Sequence, residues 1–232
     1  MGEPDECLLA RFYWRARALF AVDDGLSSDS VRAMPTVEPA GTTLFLKRWL
    51  RRPLAMGAVV PSGRPLGEAM ARATLAAMMG RDGRVIELGA GAGHVTKALL
   101  AAGIPAERLA LVERDHELAT FLRRHFPGPK VLEGDAARLP RLLSTHGIDR
   151  IAAVVSSLPL LSLPAEVVNG IVHGVFESLP RGAALVQFTY GPAPPVPRAL
   201  RERLHLQAHS SPRIWRNVPP AVVWTFTRPR KA

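Results

Sequence analysis

Cysteine is almost missing from this 232-residue chain. Cys7 stands alone, which excludes an internal disulfide and any cysteine-based zinc site. Lysine is nearly as rare, confined to Lys47, Lys97, Lys130 and Lys231. Aromatic residues make up only 6%, so the chain offers few of the stacking platforms on which single-stranded nucleic acid is usually held. No apolar run reaches the ~20 residues needed to cross a bilayer. The longest uncharged stretches, Ile151–Ala165 and Gly182–Pro197, are shorter and contain prolines. The first six residues, Met1-Gly2-Glu3-Pro4-Asp5-Glu6, are acidic where a secretory signal would be basic. These absences predict a chain of the cytoplasm, soluble or peripheral on the inner membrane.

Positive charge is abundant. Thirty basic residues against twenty acidic ones give a formal net charge of +10, nearly all of it arginine. Such an excess calls for an anionic partner, either nucleic acid or the headgroups of a membrane. A hydrophobic fraction of 47% excludes a disordered chain, and the length suits one large α/β domain.

Two amphipathic helices are expected ahead of that domain. In the first, Leu8, Leu9, Phe12, Tyr13, Ala16, Leu19 and Phe20 gather on one face, and residues 27–41 then form a linker. In the second, residues 42–52, Phe45, Leu46, Trp49 and Leu50 lie opposite Lys47, Arg48, Arg51 and Arg52. An apolar face with a tryptophan opposite a cationic face describes a helix lying in a membrane interface. The domain division that follows is an N-terminal helix and linker over residues 1–41 and a larger α/β domain over 42–232.

Alternating strands and helices follow: a helix after Pro65, a strand at Val85–Leu88, a helix from Val95, and strands at Arg108–Glu113, Lys130–Ala136, Ile151–Val155 and Ala183–Tyr190. Helices are expected at His116–His125, Pro164–Leu179 and Arg198–Leu206, then an edge strand and a terminal strand at Ala221–Thr227. This alternation predicts a doubly wound, Rossmann-like sheet, mostly parallel with an antiparallel C-terminal strand, whose ligands bind beyond the strand C-termini.

The most informative stretch is Glu87-Leu88-Gly89-Ala90-Gly91-Ala92-Gly93. A strand, a glycine turn and a helix let the backbone approach a nucleoside closely. The spacing is not the Gly-x-Gly-x-x-Gly of dinucleotide binders, and the Gly-Lys-Ser/Thr ending of a phosphate loop is missing. The acid ahead of the first glycine resembles the first motif of S-adenosylmethionine-dependent methyltransferases, whose ligand is cationic and carries no phosphate. Glu113, closing the second strand, sits where such sites place an acid on the ribose hydroxyls, with Arg114 beside it. The resemblance further implies that Asp135 and the Ala136 amide clamp the adenine, completing a cofactor set of Glu87, Gly89, Ala90, Gly91, Gly93, Glu113, Arg114, Asp135, Ala136 and Ser156.

Later segments carry a narrower resemblance. Phe45–Trp49, Gly57–Ser62, Val154–Leu161, Gln187-Phe188-Thr189-Tyr190-Gly191-Pro192 and Trp215–Trp224 resemble bacterial phospholipid N-methyltransferases, which convert phosphatidylethanolamine to phosphatidylcholine. What this implies is an enzyme acting at an anionic membrane surface on phosphatidylethanolamine and its methylated derivatives, with no nucleic-acid partner and no metal. Ser156, Ser157 and Tyr190 are the candidates to orient the acceptor amine, and Arg213, Arg216 and Asn217 the candidates to hold the lipid phosphate. Ornithine lipid is an alternative acceptor. The other rival is a ribosomal-RNA adenine dimethylase, a related group with Asn-Ile/Leu-Pro-Tyr/Phe after the fourth strand. There the asparagine accepts the target amine and the ring stacks on the flipped base. Here Ser157-Leu158-Pro159-Leu160 stands at that place, without amide or ring.

The second helix generates a test. Changing Lys47, Arg48, Arg51 and Arg52 together to glutamate is expected to weaken binding to anionic vesicles, and raising salt to weaken binding by the parent chain. Co-sedimentation with vesicles measures both effects.

Overall fold

A computed structural model describes residues 63–191, 193–217 and 219–230. The two expected amphipathic helices, the linker, the Gly57–Ser62 segment, and with them Phe45, Lys47, Arg48, Trp49, Arg51 and Arg52, lie outside the described residues.

The described chain runs α1 (Arg64–Met78), β1 (Arg84–Leu88), α2 (His94–Ala101), β2 (Leu109–Glu113), α3 (His116–His125), β3 (Lys130–Glu133), α4 (Leu139–Thr145), β4 (Ile151–Ser156), α5 (Ala165–Ser178), β5 (Ala184–Thr189), α6 (Arg198–Arg203), β6 (Gln207–Ser210) and β7 (Val222–Thr227). The strands form one seven-stranded sheet in the order β3-β2-β1-β4-β5-β7-β6. The first five pair in parallel, and β7 runs antiparallel between β5 and β6. This is the Rossmann-like sheet expected from the alternation of elements.

Both faces of the sheet are covered, and the central strands are buried throughout. All six residues of β4 and of β5 are buried, as is usual for parallel strands with helices on either side. On one face Leu66 and Met70 of α1, Val95 and Leu99 of α2, and Leu122 of α3 pack on Val85, Leu109, Leu111 and Val155. The opposite face carries Leu139 and Leu143 of α4, Val172 and Phe176 of α5, and Leu200 of α6, packed on Ile86, Val112 and Val154. In α1 the buried positions 66, 70, 74 and 78 recur every fourth residue, the period of a single helical stripe.

Three differences from the sequence expectations have local causes. Helix α4 was not anticipated: its seven residues, with a proline in the first turn, are too few to display helical periodicity. The third strand stops at Glu133, because Asp135 turns the chain by accepting the Ala137 N–H at 2.9 Å and opens a short 3₁₀ turn, Ala136–Arg138. Helix α6 ends at Arg203 rather than Leu206, and His205 follows it with φ +53°.

Candidate functional site

Parallel strands deliver their C-terminal loops to one end of the sheet, and here those loops are stitched together. The Gly89 N–H donates to the Val112 carbonyl at 2.9 Å, the Gly134 N–H to the Glu113 carbonyl at 2.9 Å, and the Ser157 N–H to the Leu88 carbonyl at 2.9 Å. Loops after β1, β2, β3 and β4 therefore share one frame.

Within that frame the glycine loop is held from beneath. Gly89, Gly91 and Gly93 all adopt positive φ, at +69°, +55° and +80°, a region other residues enter only with strain. Packing adds a second constraint at two of them. A Cβ on Gly89 would lie 2.5 Å from the Leu158 side chain, and one on Gly93 would lie 2.2 Å from the Phe126 ring. Gly91 differs, since its Cβ would meet nothing closer than the loop's own Gly89 carbonyl at 3.9 Å. It leaves an open face at the centre of the turn, and α2 begins immediately after Gly93.

Two buried acids serve this loop. The Glu113 carboxylate accepts the Gly91 N–H at 2.9 Å through Oε2, and those of Arg114 and Asp115 at 2.8 and 2.9 Å through Oε1. The sequence suggested an acid free to meet ribose hydroxyls. In the structure it is a backbone clamp, which leaves one lone pair on Oε2 for any further donor. Glu87 is fully buried. Its Oε2 accepts the Thr96 hydroxyl at 2.7 Å, while Oε1 has no partner. Burial pushes its pKa from 4.5 up to about 8, the Thr96 bond and the Glu113 charge being smaller influences. Thr96 was overlooked in the sequence; its signal is a hydroxyl in the first turn of the helix that follows the acidic strand end.

Asp135 is partly exposed, with its Oδ2 4.0 Å from an Arg114 guanidinium nitrogen, and Ala136 behind it is buried. A shallow recess of about 490 Å³, lined by Arg114, Gly134, Asp135, Arg138 and Arg141 among others, opens there. Arg114 thus stands beside Asp135, and Glu113, Asp135, Ala136 and the glycine loop form one contiguous edge.

The second group of predicted residues gathers at the ends of β4 and β5, where Ser156 pairs with Gln187. The Ser156 hydroxyl accepts the Leu158 N–H at 3.3 Å. The hydroxyls of Ser157 and Tyr190 are buried without a hydrogen-bond partner among the described residues, an arrangement rare enough in folded proteins to need an explanation. Tyr190 rests edge-on against Phe188, with centroids 5.4 Å apart, and burial raises its pKa to about 12. Its phenol is therefore neutral at physiological pH and able to offer a hydrogen bond. Gln187, not singled out from the sequence as a site residue, fixes the turn by donating from Nε2 to the Leu158 carbonyl at 3.0 Å.

The third group divides. Arg213 and Arg216 lie in the loop between β6 and β7, with the Arg213 guanidinium 5.3 Å from the centre of the Trp215 ring. Asn217 does not join them. Its side chain is buried, accepting the Gly63 N–H at 3.1 Å and donating to the Pro219 carbonyl at 2.7 Å. Both ends of the amide are occupied, so Asn217 is a structural pin and not a headgroup ligand.

Comparison with known proteins bears on this arrangement. No family model matches the chain. An ornithine lipid N-methyltransferase of Singulisphaera acidiphila is 32% identical over 153 residues, covering 64% of this chain and 78% of that protein. A ribosomal RNA small subunit methyltransferase A of Anaeromyxobacter dehalogenans is 33% identical over 152 residues, covering 60% of this chain and 52% of that protein. The chain thus spans about half the length of that second relative. Among solved structures, the 1,6-didemethyltoxoflavin-N1-methyltransferase of Burkholderia thailandensis superposes with a TM-score of 0.57 at 14% identity, over 88% of this chain and 99% of that one. The glycopeptide N-methyltransferase MtfA, complexed with S-adenosyl-L-methionine, gives 0.55 at 15% identity, over 70% of this chain and 94% of that one. At these identities the two structures speak for the fold.

The buried Glu87 carries a pH dependence. An acid whose folded pKa lies above its unfolded one binds more protons when folded, so its contribution is greatest below about pH 4.5 and is lost as the pH rises through about 8. Glu87→Gln keeps the shape and removes the titration. Urea unfolding at about pH 6 and about pH 9 is expected to show a larger loss of stability in the parent than in the variant, with about 1.4 kcal/mol for each unit of pKa displacement as the scale.

Proposed function

Because the chain belongs to the class I S-adenosylmethionine-dependent methyltransferases, we propose that it transfers methyl groups from that cofactor to the amine of an amino lipid, with ornithine lipid as the acceptor. The observation that carries this reading is the relative of 32% identity named for that activity, 78% of whose length the chain covers. That relative supports ornithine lipid over phosphatidylethanolamine, the acceptor the sequence resemblance suggested first.

The residues present fit the cofactor. The open face of Gly91 gives a nucleoside room to lie against the backbone. The unpaired Glu87 Oε1 suits a cationic ligand, whose approach would favour the ionised carboxylate that burial now disfavours. Glu113 retains one lone pair on Oε2 for a ribose hydroxyl, Asp135 keeps Oδ2 for an exocyclic amine, and the glycine loop with Ala90 and Ala136 supplies the walls. When bound, S-adenosylmethionine supplies an electrophilic methyl on a sulfonium.

The task left to the protein is to present a neutral amine in line with that methyl. The unpartnered hydroxyls of Ser157 and Tyr190 are suited to hold the amine, and Ser156 braces the turn that carries one of them. The buried surroundings disfavour the ammonium form of the acceptor and so help it to lose its proton. Arg213 and Arg216 supply positive charge for the acidic part of the lipid headgroup. Against an RNA base, Leu158-Pro159-Leu160 offers no stacking ring, and Ser157 stands where an asparagine amide would be needed.

Two measurements test the proposal. With radiolabelled cofactor and equal amounts of ornithine lipid, phosphatidylethanolamine and ribosomal RNA, label is expected in ornithine lipid. Label in RNA alone would refute the lipid reading. Glu113→Ala is expected to weaken S-adenosylmethionine binding at least about tenfold by calorimetry, since the loop loses a charge-assisted bond worth roughly 1.5–3 kcal/mol. An unchanged affinity would remove Glu113 from the site.

A further inference from the structure

The loop joining β6 to β7 is the least expected surface of the described chain. Thr189 at the end of β5 pairs with Val222, and Ser210 at the end of β6 pairs with Trp224. Residues 211–221 therefore project from the same end of the sheet as the glycine loop. At their tip Trp215 is 70% exposed. Leu161, in the short turn after β4 on that same end, is 62% exposed. A tryptophan left in water forgoes a large hydrophobic gain, and this one is held there by a rigid frame. Ile214 and Ala221 exchange backbone hydrogen bonds at 2.7 and 3.4 Å across the base of the tip, and the buried Asn217 ties its inside to Gly63. Gly63 itself has no room for a side chain, since a Cβ there would lie 2.7 Å from the Asn217 Oδ1.

The tip itself carries Arg213 and Arg216 and no acid over residues 211–221. Arg213 lies over the Trp215 ring, and Arg216 is exposed beside it. An amphipathic ring flanked by arginines on a loop tied at its base matches the headgroup level of a bilayer, where tryptophan concentrates and where basic residues are drawn to an anionic surface.

We propose that the 211–221 loop is an interfacial anchor that inserts Trp215 into an anionic phospholipid surface, with Arg213 and Arg216 on the headgroups, and so sets the acceptor end of the sheet against the membrane. The inference rests on the lipid reading above and deepens it. Its occupant is a bilayer because the exposed ring, the two arginines beside it and the exposed Leu161 stand at the end of the sheet that carries the proposed acceptor hydroxyls. A nucleic acid would find a single ring there.

The test uses the intact chain, without cofactor, in co-sedimentation with vesicles of phosphatidylcholine alone or mixed with phosphatidylglycerol. Trp215→Ala is expected to lower partitioning onto the mixed vesicles at least about tenfold, with an unchanged melting temperature. The double variant Arg213→Gln, Arg216→Gln is expected to lose much of the preference for phosphatidylglycerol. Lipids carrying a quencher in the upper acyl chain should quench the parent's tryptophan emission more than that of Trp215→Phe. Partitioning of Trp215→Ala within twofold of the parent would overturn the anchor, as when another segment of the chain covers the ring; so would a variant that lost only RNA binding. Methyl transfer to a short-chain acceptor lipid dispersed as monomers separates this inference from the one beneath it. Parental rates there, together with vesicle binding that ignores Trp215, refute the anchor and leave the acceptor standing. Vesicle binding that depends on Trp215, with no lipid methylated, supports the anchor and refutes the acceptor.

Discussion

The hydrogen bond from the Gly91 amide to the Glu113 carboxylate is the constraint on which the candidate site depends. It joins the loop after β1 to the end of β2, and the same carboxylate holds the next two amides of its own chain. Bonds to an ionised acceptor are shorter and stronger than neutral ones, and three converging on one buried group justify its place in a largely apolar interior. With Gly91 fixed, Gly89 and Gly93 are set on either side, each forced to lack a side chain by Leu158 or Phe126. Leu158 belongs to the turn after β4, so that turn closes directly against the glycine loop.

Glu87 makes the counterpart. One strand away from Glu113, it is buried with a free oxygen and only one hydrogen bond. Glu113 is held by three amide donors, whereas burial pushes the Glu87 pKa up to about 8 and its second oxygen has no partner among the described residues.

How much was legible in the sequence differs by region for physical reasons. The sheet and its parallel order were readable because β1, β2, β4 and β5 are short apolar runs bounded by turn residues, and the three glycines at alternate positions mark a turn that few other structures require. Helix α4 was not readable, since seven residues beginning Leu139-Pro140 carry no period. Asn217 was misread for a different reason: its partner, Gly63, lies 154 residues away. A polar residue beside two arginines looks like part of a binding patch until a distant backbone amide is found in its grasp. Gln187 was passed over in the same way, because a polar residue inside a strand discloses its role only when the carbonyl it holds, that of Leu158, is known.

The Asn217 pin also bears on which acceptor suits this end of the sheet. It binds the start of α1 to the foot of the Trp215 loop, so the chain reaches α1 at the edge where the unpartnered hydroxyls and the exposed tryptophan stand. An enzyme that reads a single flipped base needs a deep slot with a ring at its wall and an amide at its floor. An enzyme whose acceptor is embedded in a surface needs a broad rim able to sit on that surface. On the proposed lipid reading the residues supply such a rim: Arg213 and Arg216, a tryptophan held outward, and leucines in place of the ring. On that reading Ser157-Leu158-Pro159-Leu160, standing where a base-methylating enzyme has an asparagine and an aromatic, and the two arginines at the same end of the sheet serve one specificity.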